Sequence, residues 1–294
     1  MSSSASFQQF DEGHKKARDT SKIVLIVINV IFLLIIIGLV VSLFLVLTKT
    51  KAKTGLPVSQ VQIIPILGSY YGNETKGAAS LQFKNDMLHS KYYTMNDYYN
   101  MKSENGLHIL HHFRTYQQTS SYTCGCGCII MALDYLTHQN STLNESYCAE
   151  IADIGTDIHN NSYGKLGAPP QSIENALITL GYETISNRNV GEMPFNDELS
   201  FKNWAIQMID QGYPIIVHHM DWGGHYLVII GIDTMETERT KDDIVIVADP
   251  SDSTDHRQDG YNIWGLERFY SLWGVPSYNY PGIDMRYEFI VVKG

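Results

Sequence analysis

The sequence predicts an α+β fold, with N-terminal helices packed on an antiparallel sheet behind a single N-terminal transmembrane helix. Three observations carry that expectation. A 25-residue run from Ile23 to Leu47 holds no charged side chain. Apolar residues at helical spacing gather between positions 128 and 210, and short β-branched runs take over after 213. Helices first and strands later describe segregated elements, in contrast to the alternation of βαβ units.

From the N-terminus, residues 1–22 are Ser-rich and charged, the composition of a disordered cytoplasmic tail. The 23–47 run, at about 1.5 Å per residue, is long enough to cross a hydrocarbon core of roughly 30 Å with some tilt. A cleavable signal peptide is the competing reading, with an apolar stretch of about 7–15 residues and a small-x-small site. This run is longer and closes on Leu47-Thr-Lys-Thr-Lys, so an uncleaved signal-anchor is expected. Lys15, Lys16, Arg18 and Lys22 precede the span, against Lys49, Lys51 and Lys53 after it. That bias favours a single-pass membrane protein whose C-terminal domain is extracytoplasmic. Asn73, Asn140, Asn144 and Asn160 open sequons that a eukaryotic secretory route would glycosylate. Residues 48–106 read as a linker and a Tyr-rich N-terminal extension, and 107–294 as the main domain.

Within the main domain, Cys128 to Leu136 carries Ile129, Ile130, Ala132, Leu133 and Leu136 at helical spacing, after the breaker-rich Cys-Gly-Cys-Gly. A second helix is expected over Ser172 to Leu180, closed by Gly181, and a third over Phe201 to Asp210, followed by Gly212. Strands are expected near 213–218, 226–232, 244–248 and 287–292, each a short β-branched run.

The 294 residues are 44% hydrophobic and 18% charged, enough apolar material for a sizeable core. Net charge is −10 and lies beyond the tail: residues 1–22 hold four basic and three acidic side chains, the remainder 17 and 28. No stretch concentrates Lys and Arg as a phosphate-tracking surface requires, so nucleic acid is not an expected partner. No Gly-Lys-Ser/Thr loop occurs, so no nucleotide is expected either.

Chemistry is expected first at Cys124, which stands just ahead of the predicted helix. Free amides and the helix dipole at such an N-terminus favour an anion, and a thiol there gains nucleophilic character. Six residues earlier, Gln118 offers an amide which, with the backbone N–H of the cysteine, would form an oxyanion hole. The bland alternative makes Gln118 a solvated loop amide and Cys124 a small packed residue. His225 opens a strand after Gly223-Gly224 and is the candidate base. If that strand pairs with 244–248 in a hairpin centred near 238, residue 225 faces 249–252, which reads Asp-Pro-Ser-Asp. Asp249 is the preferred orienter of the imidazole, with Asp252 in reserve and Asp221 and Asp233 behind it.

These segments resemble the papain-like C39 family of cysteine peptidases and its stand-alone relatives, without ABC transporter modules. The resemblance lies in Gln118-Thr-Ser-Ser-Tyr-Thr-Cys124-Gly, Gly224-His225-Tyr-Leu-Val-Ile-Ile-Gly-Ile-Asp and Val247-Ala-Asp249-Pro, with support from Gly167-Ala-Pro-Pro-Gln and Gln211-Gly-Tyr-Pro-Ile. It implies a papain-like fold over about residues 107–294, with Gln118 as oxyanion donor, Cys124 as nucleophile, His225 as general base and Asp249 as orienter. Two departures stand out: Thr123 where such proteins often carry an acid, and Cys126 and Cys128 where they often continue with proline and a small residue.

Cys124, Cys126, Cys128 and Cys148 also admit rival readings. Zinc through four thiolates does not match Cys-x-Cys-x-Cys at a helix start. A disulfide from Cys148 to Cys126 or Cys128 suits an external domain. The His pairs at 111–112 and 218–219 lack ligand-spaced partners, so structural histidines are expected and no metal site. The expected activity is hydrolysis of peptide bonds in a peptide or protein substrate, with no cofactor. The alternatives are a silent membrane-displayed binding module, a thiol-dependent amidase or acyltransferase acting on a non-protein substrate, and a thiol-redox or metal protein.

Overall fold

The structure is a computed structural model and describes residues 28–38, 77–81, 86–87, 90–91, 96–154, 167–253, 257–276 and 283–294. The chain divides into two units, Met1–Gly55 and Leu56–Gly294. In the first, residues 28–38 are helical with their side chains exposed. Among the described residues no helix is long and apolar enough to cross a membrane. The rest of the 23–47 run expected to span one lies outside the described residues.

The second unit is built on an antiparallel sheet whose strands are β1 (Leu107–Ile109), β2 (Glu183–Ser186), β3 (Ile215–His219), β4 (His225–Asp233), β5 (Ile244–Ala248), β6 (Tyr261–Gly265) and β7 (Phe289–Lys293). Their order is β2-β7-β3-β4-β5-β6, with β1 on β4 beyond the end of β3. Among the described residues five helices accompany them: α1 (Cys124–Leu136), α2 (Glu145–Ile151), α3 (Pro170–Thr179), α4 (Glu198–Asp210) and α5 (Leu266–Trp273). The mixed helix and antiparallel-sheet layout is the predicted α+β class.

The central strands β3 and β4 read as continuous apolar runs because both faces are covered, and β4 is buried from His225 to Ile232. Ile129, Ile130 and Met131 of α1 are fully buried. A second packing centre gathers Phe201, Trp204, Phe269, Trp273 and Phe289 around Phe195, whose ring lies 5.0 Å from that of Trp204 and 5.6 Å from that of Trp273. The β3–β4 hairpin turns through a 3-10 turn, Asp221–Gly223, and Gly224. Gly223 at φ 83° and Gly224 at φ 143° take conformations that β-branched or bulky residues resist. Reversal at these glycines sets His219 directly opposite His225.

Four expected boundaries need correction. The first helix begins at Cys124, four residues before the predicted start at Cys128, so Gly125 and Gly127 lie inside it. They serve close packing and do not break the helix. A Cβ on Gly125 would come 2.4 Å from Cδ1 of Ile173, and one on Gly127 would come 2.5 Å from Cβ of Pro250. The strand expected from 213 starts at Ile215, after Pro214, and the last one runs over Phe289–Lys293. Helix α4 starts earlier than its periodicity suggests because Asp197 and Ser200 form a capping box, a device worth about 1 kcal/mol.

The N-terminal extension packs on this unit where it is described. Ala78 is buried, and its carbonyl accepts a 2.7 Å bond from Nε2 of Gln258. Tyr98, Tyr99 and Met101 rest against the core.

Candidate active site

Cys124 is the first residue of α1, with Thr123 as N-cap. The Thr123 side chain makes no capping bond to the helix, so it leaves the first amides at the dipole end uncapped by that side chain. Cys124 is half-buried, whereas Cys126, Cys128 and Cys148 are fully enclosed. Burial pushes the thiols of Cys126 and Cys128 up, with Cys148 adding to the effect at Cys126 through a hydrogen bond and Cys124 adding to it at Cys128. No cysteine is bridged to another. Of the four, Cys124 is the accessible thiol.

His225 opens β4 and is buried. Its Nε2 lies 2.7 Å from Oδ1 of Asp249, and the ring also interacts with the thiol of Cys124. With Nε2 engaged, Nδ1 is the nitrogen left for the sulfur. Burial alone would lower the imidazole. Asp249, by charge and hydrogen bond, and then Cys124 outweigh it and raise His225 to about 10. The neighbouring His218 shows the contrast: burial, then the charges of His225 and His219, hold it down to about 3.

Asp249 stands just past the end of β5, and its loop is pinned from several sides. Its amide donates to Gly260 O at 2.9 Å, and its Oδ1 accepts from Ser251 N at 2.7 Å. Gln117 Nε2 donates to the Asp249 carbonyl at 2.9 Å, and Gln118 N to the Pro250 carbonyl at 2.8 Å. The stretch carrying Gln118 is thus stitched to the stretch carrying Asp249. Of the reserve acids, Asp252 accepts from Gly260 N at 2.8 Å, Asp221 lies 3.4 Å from Nδ1 of His219, and Asp233 accepts from Met235 N at 2.8 Å. Asp249 is the one hydrogen-bonded to His225.

Gln118 is buried in the loop six residues before Cys124. Its Nε2 donates to Ser120 O at 2.7 Å, and among the described residues the second N–H of that amide is uncommitted. Its Oε1 is buried with no hydrogen-bond partner among the described residues. The Gln118 carbonyl accepts from Ala79 N at 3.0 Å, so the N-terminal extension borders the loop from outside.

Glu145 escaped the sequence reading. It opens α2 and is fully buried, with its carboxylate facing the Gln118–Cys124 loop. It accepts from the Thr119 amide at 3.1 Å on each oxygen, from the Tyr116 hydroxyl and from the Thr123 hydroxyl. Burial pushes its carboxyl up, and the bonds from Thr123, Tyr116 and Thr119 pull it back. The local sequence Asn144-Glu-Ser carries no signal beyond a sequon.

Among the described residues no group of three or more His, Cys, Asp and Glu side chains is gathered as a metal site. Of the histidine pairs, His111 binds the Met101 carbonyl through Nδ1 at 2.9 Å and His112 stacks on Tyr99. His219 stacks on Phe269. These are packing roles.

Residues 110–277 match the Peptidase_C39 like family. Among solved structures, the chain is similar to the peptidase domain of Streptococcus ComA, a bi-functional ABC transporter involved in a quorum sensing pathway. The identity is 20%, the match covers 62% of this chain and 98% of that one, and the TM-score is 0.39. No curated protein matches the chain.

Proposed function

The chain belongs to the C39-like peptidase family, and on that premise we propose that it hydrolyses peptide bonds through Cys124, His225 and Asp249, with Gln118 as oxyanion donor. One observation carries the reading: the His225 imidazole is hydrogen-bonded to Asp249 and also engages the Cys124 thiol. The ring, raised to about 10, holds the proton, and the sulfur at the helix N-terminus attacks the substrate carbonyl carbon. Negative charge then develops on the carbonyl oxygen, where the free N–H of the Gln118 amide and the backbone N–H of Cys124 receive it. The imidazolium passes its proton to the leaving amine, and the neutral ring takes one from the water that cleaves the thioester. Asp249, hydrogen-bonded to Nε2, keeps Nδ1 turned to the sulfur.

The substrate class follows from the family, a peptide or protein. Comparing the new protein N-termini that appear in cells expressing the wild type and Cys124→Ala identifies it. Termini that depend on Cys124 support peptidase action. Turnover confined to non-peptide amides or esters would assign the thiol to another acyl transfer.

The same proposal places the domain outside the cytoplasm on a single-pass anchor at residues 23–47. Support comes from the uncharged 25-residue run and from the helix at 28–38, where Ile28, Phe32 and Leu34 are each more than half exposed. Alkaline carbonate extraction tests it: the full chain stays with the membrane pellet, and a chain lacking 23–47 is released. Release of both would remove the anchor.

A further inference from the structure

We propose that Glu145 is a positioning residue that sets the geometry between the oxyanion donor and the nucleophile, an inference that rests on the peptidase reading above. The oxyanion pair consists of the Gln118 amide and the Cys124 backbone N–H, and five residues separate them. Glu145 grips that interval at both ends. Its two oxygens receive the amide of Thr119, next to Gln118, and one receives the hydroxyl of Thr123, next to Cys124. Tyr116 closes the set from the other side of Gln118. Ser120 Oγ lies 2.8 Å from Thr123 Oγ1, so the middle of the loop joins the same network.

A fully buried carboxylate is expensive unless its lone pairs are filled, and here three donors, the Tyr116 hydroxyl, the Thr119 amide and the Thr123 hydroxyl, converge on it. None of them belongs to the neighbouring part of α2. All three come from the stretch 116–123, and the carboxylate comes from a helix that begins 21 residues beyond Cys124. Such an arrangement constrains the loop in a way its own sequence does not. On the outer side Gly77 N donates to Thr119 O at 3.2 Å, so Thr119 is held by its amide and its carbonyl at once. A rigid loop is what an oxyanion hole requires, because donors aimed in advance cost no reorganisation when charge appears.

Two reactions at the same sulfur separate positioning from mere folding. Iodoacetamide alkylates Cys124 by displacement at carbon and forms no oxyanion. p-Nitrophenyl acetate acylates it through a tetrahedral oxyanion and releases p-nitrophenolate. In Glu145→Gln the alkylation rate constant of Cys124 should stay within about threefold of wild type. The acylation rate constant should fall about tenfold or more, with its half-saturating ester concentration unchanged, since losing one oxyanion donor outright costs about 10²–10³. Thr123→Val, isosteric and lacking only the hydroxyl, should move the ratio of the two rates in the same direction by less. An unchanged ratio in folded Glu145→Gln overturns the proposal, as does an equal fall of both rates with a lowered melting temperature. If Glu145→Gln does not fold, Thr123→Val decides by the same ratio. If wild-type alkylation is no faster than in His225→Ala, the peptidase reading fails and takes this proposal with it. If that difference holds and the ratio does not move, Glu145 alone loses its role.

Discussion

His225 Nε2 and Asp249 Oδ1 meet at 2.7 Å because of a single extra residue in β4. Near the far end of the β4–β5 pair Gly231 faces Ile246, and near the His225 end Ile229 faces Val247, so Ile230 is a bulge. Continued one step past Val228 and Ala248, the observed register sets Asp249 opposite Leu227, two residues from His225 and on the same face. Without the bulge, the Gly231–Ile246 register would run on to Val228 opposite Asp249 and turn the carboxylate to the other face. The same residue marks an exchange of neighbours. β4 pairs with β3 up to Ile229 and with β1 from Gly231, and the Ile230 carbonyl accepts from Leu110 N at 2.8 Å. A Cβ at Gly231 would sit 3.0 Å from the His108 carbonyl, so glycine suits the crossing of β1 there.

Selective alkylation is the first expected outcome. Cys124 is half-buried beside an imidazole, while Cys126 and Cys128 are enclosed with their thiols pushed up. Iodoacetamide at neutral pH should therefore label Cys124 alone in the folded protein, and His225→Ala should slow that labelling about tenfold or more. Peptide mapping by mass spectrometry reads both. Equal labelling of all four cysteines would contradict the arrangement.

The pH profile is the second. Since His225 is raised to about 10, the imidazolium needed by the leaving amine persists through neutral pH and is lost on the alkaline side near that value. Cleavage of a peptide bond should show this alkaline limb, and alkylation, which needs no proton donor, should not. Asp249→Asn removes the main cause of the rise and leaves burial, which lowers the ring, so the limb should move to lower pH. The maximal rate should fall by about 10² or more.

Stability carries the same sign. A histidine whose folded value is raised contributes stability fully present below its unfolded value of 6.5 and lost as pH rises through about 10. The melting temperature of the wild type should accordingly drop across that window more steeply than that of Asp249→Asn, as thermal unfolding at a series of pH values will measure.

How much of this was legible in the sequence depends on the length of each signal. The approach of Asp249 to His225 follows from two β-branched runs about a turn centred near 238, and the observed pairs Val228–Ala248 and Ile229–Val247 share that centre. The bulge that fixes the face has a single mark in Val228-Ile-Ile-Gly, the glycine at 231, and an isolated strand glycine signals a bulge or a close backbone approach alike. Helix α2 has seven residues and α5 eight, and β1 and β2 have three and four, too few for a period to show. Gly125 and Gly127 read as breakers because their reason, contact with Ile173 and Pro250, is tertiary. Glu145 was invisible for the opposite cause. A charged residue beside a sequon reads as surface, and only the convergence of Tyr116, Thr119 and Thr123 explains its burial.

An ion pair at the far end of the nucleophile helix sets a fourth expectation. Arg114 donates to Asp134 from Nε at 2.9 Å and from Nη2 at 2.7 Å, and the Asp134 side chain is fully buried. Arg114→Met leaves that carboxylate uncompensated, which costs about 3–5 kcal/mol. Replacing both residues by apolar ones should restore much of the loss. Chemical denaturation of the two variants distinguishes a lost pair from lost packing, since packing alone would make the double variant the worse of the two.

The two helical glycines differ in what an added methyl would strike. At Gly125 the nearest atom is Cδ1 of Ile173, the end of a flexible side chain. At Gly127 it is Cβ of Pro250, part of a ring tied to the backbone next to Asp249. Alanine gains about 1 kcal/mol over glycine in a helix, and overpacking costs about 1–3 kcal/mol. For Gly125→Ala the terms nearly cancel if Ile173 turns aside, so stability should stay within about 1 kcal/mol of wild type. For Gly127→Ala the ring cannot turn, and the helix and the Asp249–Pro250 loop must separate. A net loss of about 1–2 kcal/mol is expected, together with slower acylation by p-nitrophenyl acetate, because the displaced loop also carries the orienting carboxylate. Equal stabilities for the two variants would show that the Pro250 contact yields as easily as the Ile173 side chain.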